Sequence, residues 1–125
     1  MIKRIIVDID DTLTIHSSSA EYCSKTPRKD ILKRLRDYKL RGYEILLYSA
    51  RNMKTYDGDI SKINKHTLPT LLKWLEDNKV EFDGIIMGKP WCGDLGFYID
   101  DKAIRPEEFV NMSEEEIHKL VGNFK

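Results

Sequence analysis

The run Ile5-Ile6-Val7 ends in Asp8-Ile9-Asp10-Asp11-Thr12, which sets three carboxylates within four residues at the end of a buried-type strand. Buried strands do not normally end so, because clustered carboxylates repel and cost free energy unless something positive binds them. A hard divalent cation held by oxygen ligands, such as Mg2+, is the natural occupant. Side chains alternate along a strand, so Asp8 and Asp10 share a side and can act as a pair on one substrate. Asp-Asp-Thr is also a turn and helix-cap signal, so the run alone leaves a structural reading open.

The chain has 125 residues, enough for one domain with one core, and a single domain over 1–125 is expected. Its 21 basic and 21 acidic residues cancel, which gives no global electrostatic case for nucleic acid or an acidic membrane surface. No apolar run approaches the ~20 residues needed to span a bilayer. Met1-Ile2-Lys3-Arg4 leads into a short strand without a signal-peptide cleavage pattern. The two cysteines, Cys23 and Cys92, lie far apart with no metal-type spacing, so a reduced, cytoplasmic setting is expected. No base stands beside Cys92 in sequence, which argues against a catalytic thiol there.

Apolar periodicity predicts alternating strands and helices. The first strand runs from about Arg4 to Ile9. A polar stretch follows, and the segment 13–26 is expected to form a short flap. Pro27 suits a first helical turn, Ile31, Leu32, Leu35 and Tyr38 recur at helical spacing, and Gly42 stops that helix. Glu44 to Tyr48 reads as a second buried strand, and Met53 to His66 as a polar loop. Thr67 and Pro69 open a helix carrying Leu71, Leu72, Trp74 and Leu75, with Asn78 near its end. Asp83–Met87 and Gly96–Ile99 read as third and fourth strands. Ser113 with Glu116 forms a capping-box signal for a last helix through about Val121.

Strand–helix–strand order implies parallel strands joined by right-handed crossovers, and ligands in such open sheets bind outside the carboxyl ends of the strands. Asp8, Asp10 and Thr12 follow the first strand, Ser49 and Arg51 the second, Gly88-Lys89 the third, and Asp100 and Asp101 the fourth. Any one of these is compatible with a turn. Four at the same edge are hard to explain structurally.

Together these residues resemble the haloacid dehalogenase superfamily. The first motif of that superfamily, an apolar strand followed by Asp-x-Asp-x-Thr, is matched by Ile-Ile-Val-Asp8-Ile-Asp10-Asp-Thr12. A strand ending in Ser or Thr is matched by Leu-Leu-Tyr-Ser49, the lysine motif by Lys89, and the acidic motif by Tyr-Ile-Asp100-Asp101. Ser-Ala-Arg-Asn-Met, Gly-Lys-Pro-Trp-Cys-Gly and Phe-Tyr-Ile-Asp-Asp look like the small capsule-polysaccharide biosynthesis phosphatases of that superfamily. The resemblance implies a Rossmann-like, three-layer, doubly wound parallel α/β sheet without a cap domain. Only ten residues separate Lys89 from Asp100, too few for a full helix and loop, so Lys89 is expected to approach from a loop.

The resemblance also implies a chemistry, hydrolysis of a phosphomonoester of a sugar or similar small metabolite. Asp8 is then the nucleophile that forms an aspartyl phosphate. Asp10 protonates the leaving alkoxide and then accepts a proton from water. Ser49 donates to a phosphoryl oxygen, and Lys89 neutralises phosphate charge and holds Asp8. Thr12, Ser49, Ala50, Arg51 and Lys89 are the implied substrate-binding set. Asp8, Asp10 through its carbonyl, Asp100 and Asp101 are the implied Mg2+ set, with Asp101 acting through water or on Lys89. Without a cap, substrate selection falls to loops or to a neighbouring copy of the chain. No nucleic-acid or membrane partner is implied.

Other residues keep two readings. Arg51 suits a fork onto substrate phosphate or carboxylate, and equally a surface salt bridge. His66 suits a helix start better than a substrate contact, His16 in the flap is open, and His118 reads as solvated. Trp91 suits stacking on a sugar or loop packing; Trp74 reads as core or interface. Arg28, Lys29, Lys33, Arg34 and Arg36, interspersed with Asp30 and Asp37, read as a solvated helix face. Two rival functions remain. A receiver-like phosphoacceptor signalling domain has similar length, but it needs an acceptor Asp after the third strand, where Met87-Gly88-Lys89 stands. An inactive scaffold of the same fold has no reason to keep Asp8, Asp10, Ser49, Lys89 and Asp100 together.

Overall fold

Strand β1 (Arg4–Asp8) pairs in parallel with β2 (Glu44–Ser49), and β2 with β3 (Gly84–Met87), in the computed structural model of the chain. The structure describes residues 1–16, 21 and 24–124. They fall into two compact units, Met1–Trp91 and Cys92–Lys125. The first is an α/β unit with sheet order β1-β2-β3 and helices α1 (Lys29–Leu40), α2 (Ile60–His66) and α3 (Leu68–Asp77). The register sets Val7 beside Leu47 and Leu47 beside Ile85. Val7, Ile45, Leu47 and Ser49 are buried on that face, whereas Ile6 and Ile86, on the opposite face, are exposed.

Helix α1 forms where apolar residues recur at helical spacing, and it buries Ile31, Leu32, Leu35 and Tyr38. Its end is turned by Gly42 at φ +93°, a conformation that costs other residues free energy. Asp83 then clips the sheet: its carboxylate accepts from the Ile45 N–H at 2.7 Å and from Lys39 Nζ at 2.9 Å. Helix α3 buries Leu71, Trp74 and Leu75. Trp74 is therefore core, and its Nε1 donates to the Lys25 carbonyl at 2.8 Å, tying α3 to the chain that precedes α1. Each fully buried aliphatic side chain in this core contributes roughly 1.5–3 kcal/mol relative to exposure.

The stretch read as a loop to His66 contains α2. Asp59 caps it by accepting from the Lys62 N–H at 3.2 Å, and Ile63 is its one buried residue. A two-turn helix with a single buried position has no periodicity to detect. The ends of the segment expected to form a flap are joined: Thr14 bridges Pro27, and the Ile15 N–H donates to the Thr26 carbonyl at 2.8 Å. Ser17-Ser18-Ser19 and Cys23 lie outside the described residues.

The second unit holds α4 (Pro106–Asn111) and α5 (Glu114–Leu120). The expected capping box starts α5: Glu116 N–H donates to Ser113 Oγ at 3.1 Å, and Ser113 N–H to Glu116 Oε1 at 3.0 Å. These bonds hold the Glu116 carboxyl below its ordinary range. Helix α4, absent from the sequence expectation, begins at Pro106, where the missing N–H costs nothing. Gly96–Ile99 forms no strand, contrary to expectation. Leu95, Phe97 and Ile99 are instead largely exposed. An apolar run becomes a strand only with a ladder partner, which local pattern does not supply. Nor is His118 simply solvated; its ring packs edge-on against Phe124 at 4.9 Å and bonds Asn123 at 2.9 Å through Nδ1. Among the described residues, no helix is long and apolar enough to cross a membrane.

Candidate active site

The turn after β1 is fixed from beneath. Ile9 and Leu13 are fully buried, and the Ile9 carbonyl accepts from the N–H groups of Thr12, Leu13 and Thr14. Asp11 takes φ +62°, and its N–H donates to the buried Thr14 Oγ1 at 2.9 Å. Apolar anchors within and just past the carboxylate run thus hold Asp8 and Asp10 at the carboxyl end of β1.

Asp8 is met by Lys89 Nζ at 3.4 Å on Oδ1 and by Thr12 Oγ1 at 3.4 Å on Oδ2. Lys89 stands in the loop after β3, as the spacing to Asp100 required. Its N–H and that of Gly88 both donate to the Ser49 carbonyl, at 2.9 and 3.1 Å, which brings the ends of β2 and β3 together. Gly88 has φ +93°, and a Cβ there would meet Ile60 Cδ1 at 2.5 Å, so no larger residue fits without displacing Ile60. Burial pushes the Asp8 carboxyl above its ordinary range, and the charge of Asp10 adds to this. Lys89 and Thr12 pull it down without cancelling the rise. The site therefore holds a carboxylate whose charge is under-compensated.

Arg51 is the largest departure from expectation. It is no surface salt bridge: its side chain is wholly buried, and Nε donates to both oxygens of Asp10, at 3.1 and 2.9 Å. Its N–H donates to the buried Ser49 Oγ at 3.0 Å. Ala50 between them is half-buried. The sequence signal was present, an arginine two residues past a buried strand's terminal serine, but nothing local distinguished a buried pair from an exposed one.

Around this centre, Lys54 Nζ lies 5.4 Å from the centroid of the Trp91 ring, so a cation already covers the indole. His16 pairs with Asp11 at 3.2 Å, both well exposed. His66 ends α2 rather than starting a helix, and its ring stacks on Tyr56 at 5.7 Å. Cys92, the first residue of the second unit, is a free, half-buried thiol. In the second unit, Asp100 and Asp101 occupy an irregular, exposed segment, and Asp100 Oδ1 accepts from the Lys102 N–H at 2.8 Å. Among the described residues, no three His, Cys, Asp or Glu side chains are gathered as a metal cluster.

The first unit is thus an α/β scaffold that gathers two carboxylates, a lysine, a serine and a buried arginine at the carboxyl ends of three parallel strands. No protein-family model matches the chain, and no curated protein does either. Two solved structures do. The crystal structure of an MCSG target from Vibrio cholerae is 50% identical, with a TM-score of 0.93 over 97% of this chain and 98% of that one. The chain belongs to the same family as that Vibrio cholerae protein. A chain of the Pnkp1/Rnl/Hen1 complex is 18% identical, with a TM-score of 0.51 over 89% of this chain and 35% of its own length. That second likeness is one of fold.

Proposed function

We propose that the chain is a Mg2+-dependent phosphatase of the haloacid dehalogenase type. It hydrolyses a phosphomonoester of a sugar or similar small metabolite through an aspartyl phosphate. The observation that carries the reading is the convergence of Asp8, Lys89, Ser49 and Asp10 from three separate strand ends, with Lys89 Nζ 3.4 Å from Asp8 Oδ1. A lysine beside a carboxylate that is raised by burial is the arrangement a dianionic phosphoryl group needs: a nucleophile, and a cation that lowers repulsion.

In the first step an Asp8 oxygen bonds to phosphorus while the P–O bond to the leaving group breaks, and Asp10 gives that oxygen its proton. In the second, water attacks phosphorus, Asp10 takes the water proton, and phosphate leaves with regeneration of the Asp8 carboxylate. Ser49 and Lys89 hold the phosphoryl oxygens. The donor set, all oxygen, suits Mg2+. In the first unit Asp8 and the Asp10 carbonyl would hold it; the family resemblance adds Asp100 and, through water, Asp101. When bound, the ion supplies charge neutralisation between Asp8 and the phosphate. The family resemblance supports a role in surface-polysaccharide synthesis, and the spacing of the two cysteines supports a reduced, cytoplasmic setting.

The test is a hydrolysis screen over sugar phosphates, sugar-acid phosphates and glycerol-type phosphates, with and without Mg2+. At least one class should turn over in a metal-dependent way, and Asp8→Asn should lose nearly all of that turnover. Turnover by Asp8→Asn close to wild type would exclude Asp8 as nucleophile.

A further inference from the structure

The buried arginine suggests how Asp10 is aimed. An arginine that ligates substrate spends its guanidinium on the ligand's charge and not on a carboxylate of the protein. Arg51 does the reverse: its side chain is out of solvent along its whole length, and Nε bonds both Asp10 oxygens. A three-centre bond from one N–H to both oxygens keeps the carboxylate facing the guanidinium and limits how far it can swing. The arginine is itself held: its backbone N–H donates to Ser49 Oγ, and the Ser49 carbonyl accepts from Gly88 and Lys89. Asp10, past the end of β1, is thereby linked through Arg51 to Ser49 at the end of β2, and Ser49 in turn to Lys89 in the loop after β3. Burying a guanidinium is costly, and only a matching charge with good geometry offsets it.

We propose that Arg51 is a positioning residue that fixes the orientation of Asp10, and that it acts on the reaction through Asp10 instead of by binding substrate. The inference rests on the phosphatase reading above, in which Asp10 gives and takes the proton. It makes a claim that reading does not contain: loss of Arg51 should damage the proton-transfer steps and spare substrate affinity.

The test compares wild type, Arg51→Met and Arg51→Lys on two substrates in the presence of Mg2+. One is a glycerol-type phosphate, whose alkoxide needs a proton. The other is p-nitrophenyl phosphate, whose leaving group does not. Circular-dichroism melts first establish that each variant is folded at the assay temperature; Arg51→Lys keeps the charge and stem should Arg51→Met melt too low. Because misplacing a catalytic group by about 1 Å costs roughly 10²-fold, kcat on the glycerol-type phosphate should fall about 10- to 100-fold. KM on both substrates should stay within about threefold, since substrate binding is not what is lost. The rapid first release of p-nitrophenolate should persist while later turnover slows. In an Asp10→Asn background, Arg51→Met should add no further loss.

A tenfold or greater rise in KM on both substrates, with kcat retained, would make Arg51 a direct substrate ligand and overturn the inference while leaving the phosphatase reading intact. Equal loss of kcat on both substrates, with further loss in the Asp10→Asn background, would also overturn it. If wild type hydrolyses no phosphomonoester in the screen, the phosphatase reading falls and the inference falls with it.

Discussion

Neutralising Asp10 should destabilise the protein, whereas neutralising Asp8, two residues away, should not. Simple carboxylate repulsion predicts that either change to Asn helps the fold. The structure separates the two. Arg51 cannot shed its proton, its side chain is 0% exposed, and Asp10 is 29% exposed. Asp10→Asn therefore removes the counter-charge from a buried cation while leaving one neutral acceptor in reach of Nε. Breaking a fully buried pair costs about 3–5 kcal/mol; the partial exposure of Asp10 and the retained amide oxygen reduce this to about 2–3 kcal/mol. For a chain of this size that is a fall in melting temperature of roughly 6–15 °C. Arg51→Met removes the cation that Asp10→Asn leaves without its counter-charge, so the double variant should cost less than the sum of the singles by about 1–3 kcal/mol. The assay is a thermal or urea double-mutant cycle in metal-free buffer. An Asp10→Asn protein that melts at or above wild type, or singles that add to within about 0.5 kcal/mol, would refute the reasoning.

The remaining expectations concern pH and metal. Burial holds Asp8 above its ordinary range, so between that range and the raised value the folded state binds more protons than the unfolded state, and stability falls as pH rises through the window. Asp8→Asn should therefore gain on wild type in metal-free melts as pH is raised from about 4 toward neutrality, and a constant difference across that range would contradict the shift. Asp83 has the opposite sign: bonds from the Ile45 N–H and from Lys39 hold it below its ordinary range, so its contribution is present above that range and lost on acidification. Asp83→Asn should accordingly lower the melting temperature at neutral pH, with the difference vanishing in acid. Asp100→Ala should raise the Mg2+ concentration for half-maximal turnover by about 100-fold or more, and Asp101→Ala by less; the reverse order would exchange the direct and water-mediated roles.

Local pattern was enough where a residue's role depends on its own chain neighbours. The α1 face of Ile31, Leu32, Leu35 and Tyr38, the turn at Gly42 and the capping box at Ser113 are all periodic or short-range signals, and each is found as read. So are the three parallel strands and the succession of Asp8, Ser49 and Lys89 at their carboxyl ends, because strand–helix–strand order leaves few topologies. What failed was what requires a partner from elsewhere. Gly96–Ile99 has strand composition but forms no strand, since ladder hydrogen bonds come from another segment. Helix α2 owes its place to one cap and one buried isoleucine, too little to make a period. Arg51 read equally well as exposed or as a substrate ligand; only the folded chain, which brings Asp10 from the end of β1 to within 2.9 Å of Nε, decides that it is a buried partner. The sequence determined which residues carry charge and, for Asp8, Asp10, Arg51 and Lys89, on which strand end each stands. Which of those charges meet, and which are withdrawn from water, depended on long-range packing, because burial and Coulomb energy are set by neighbours in space and not along the chain.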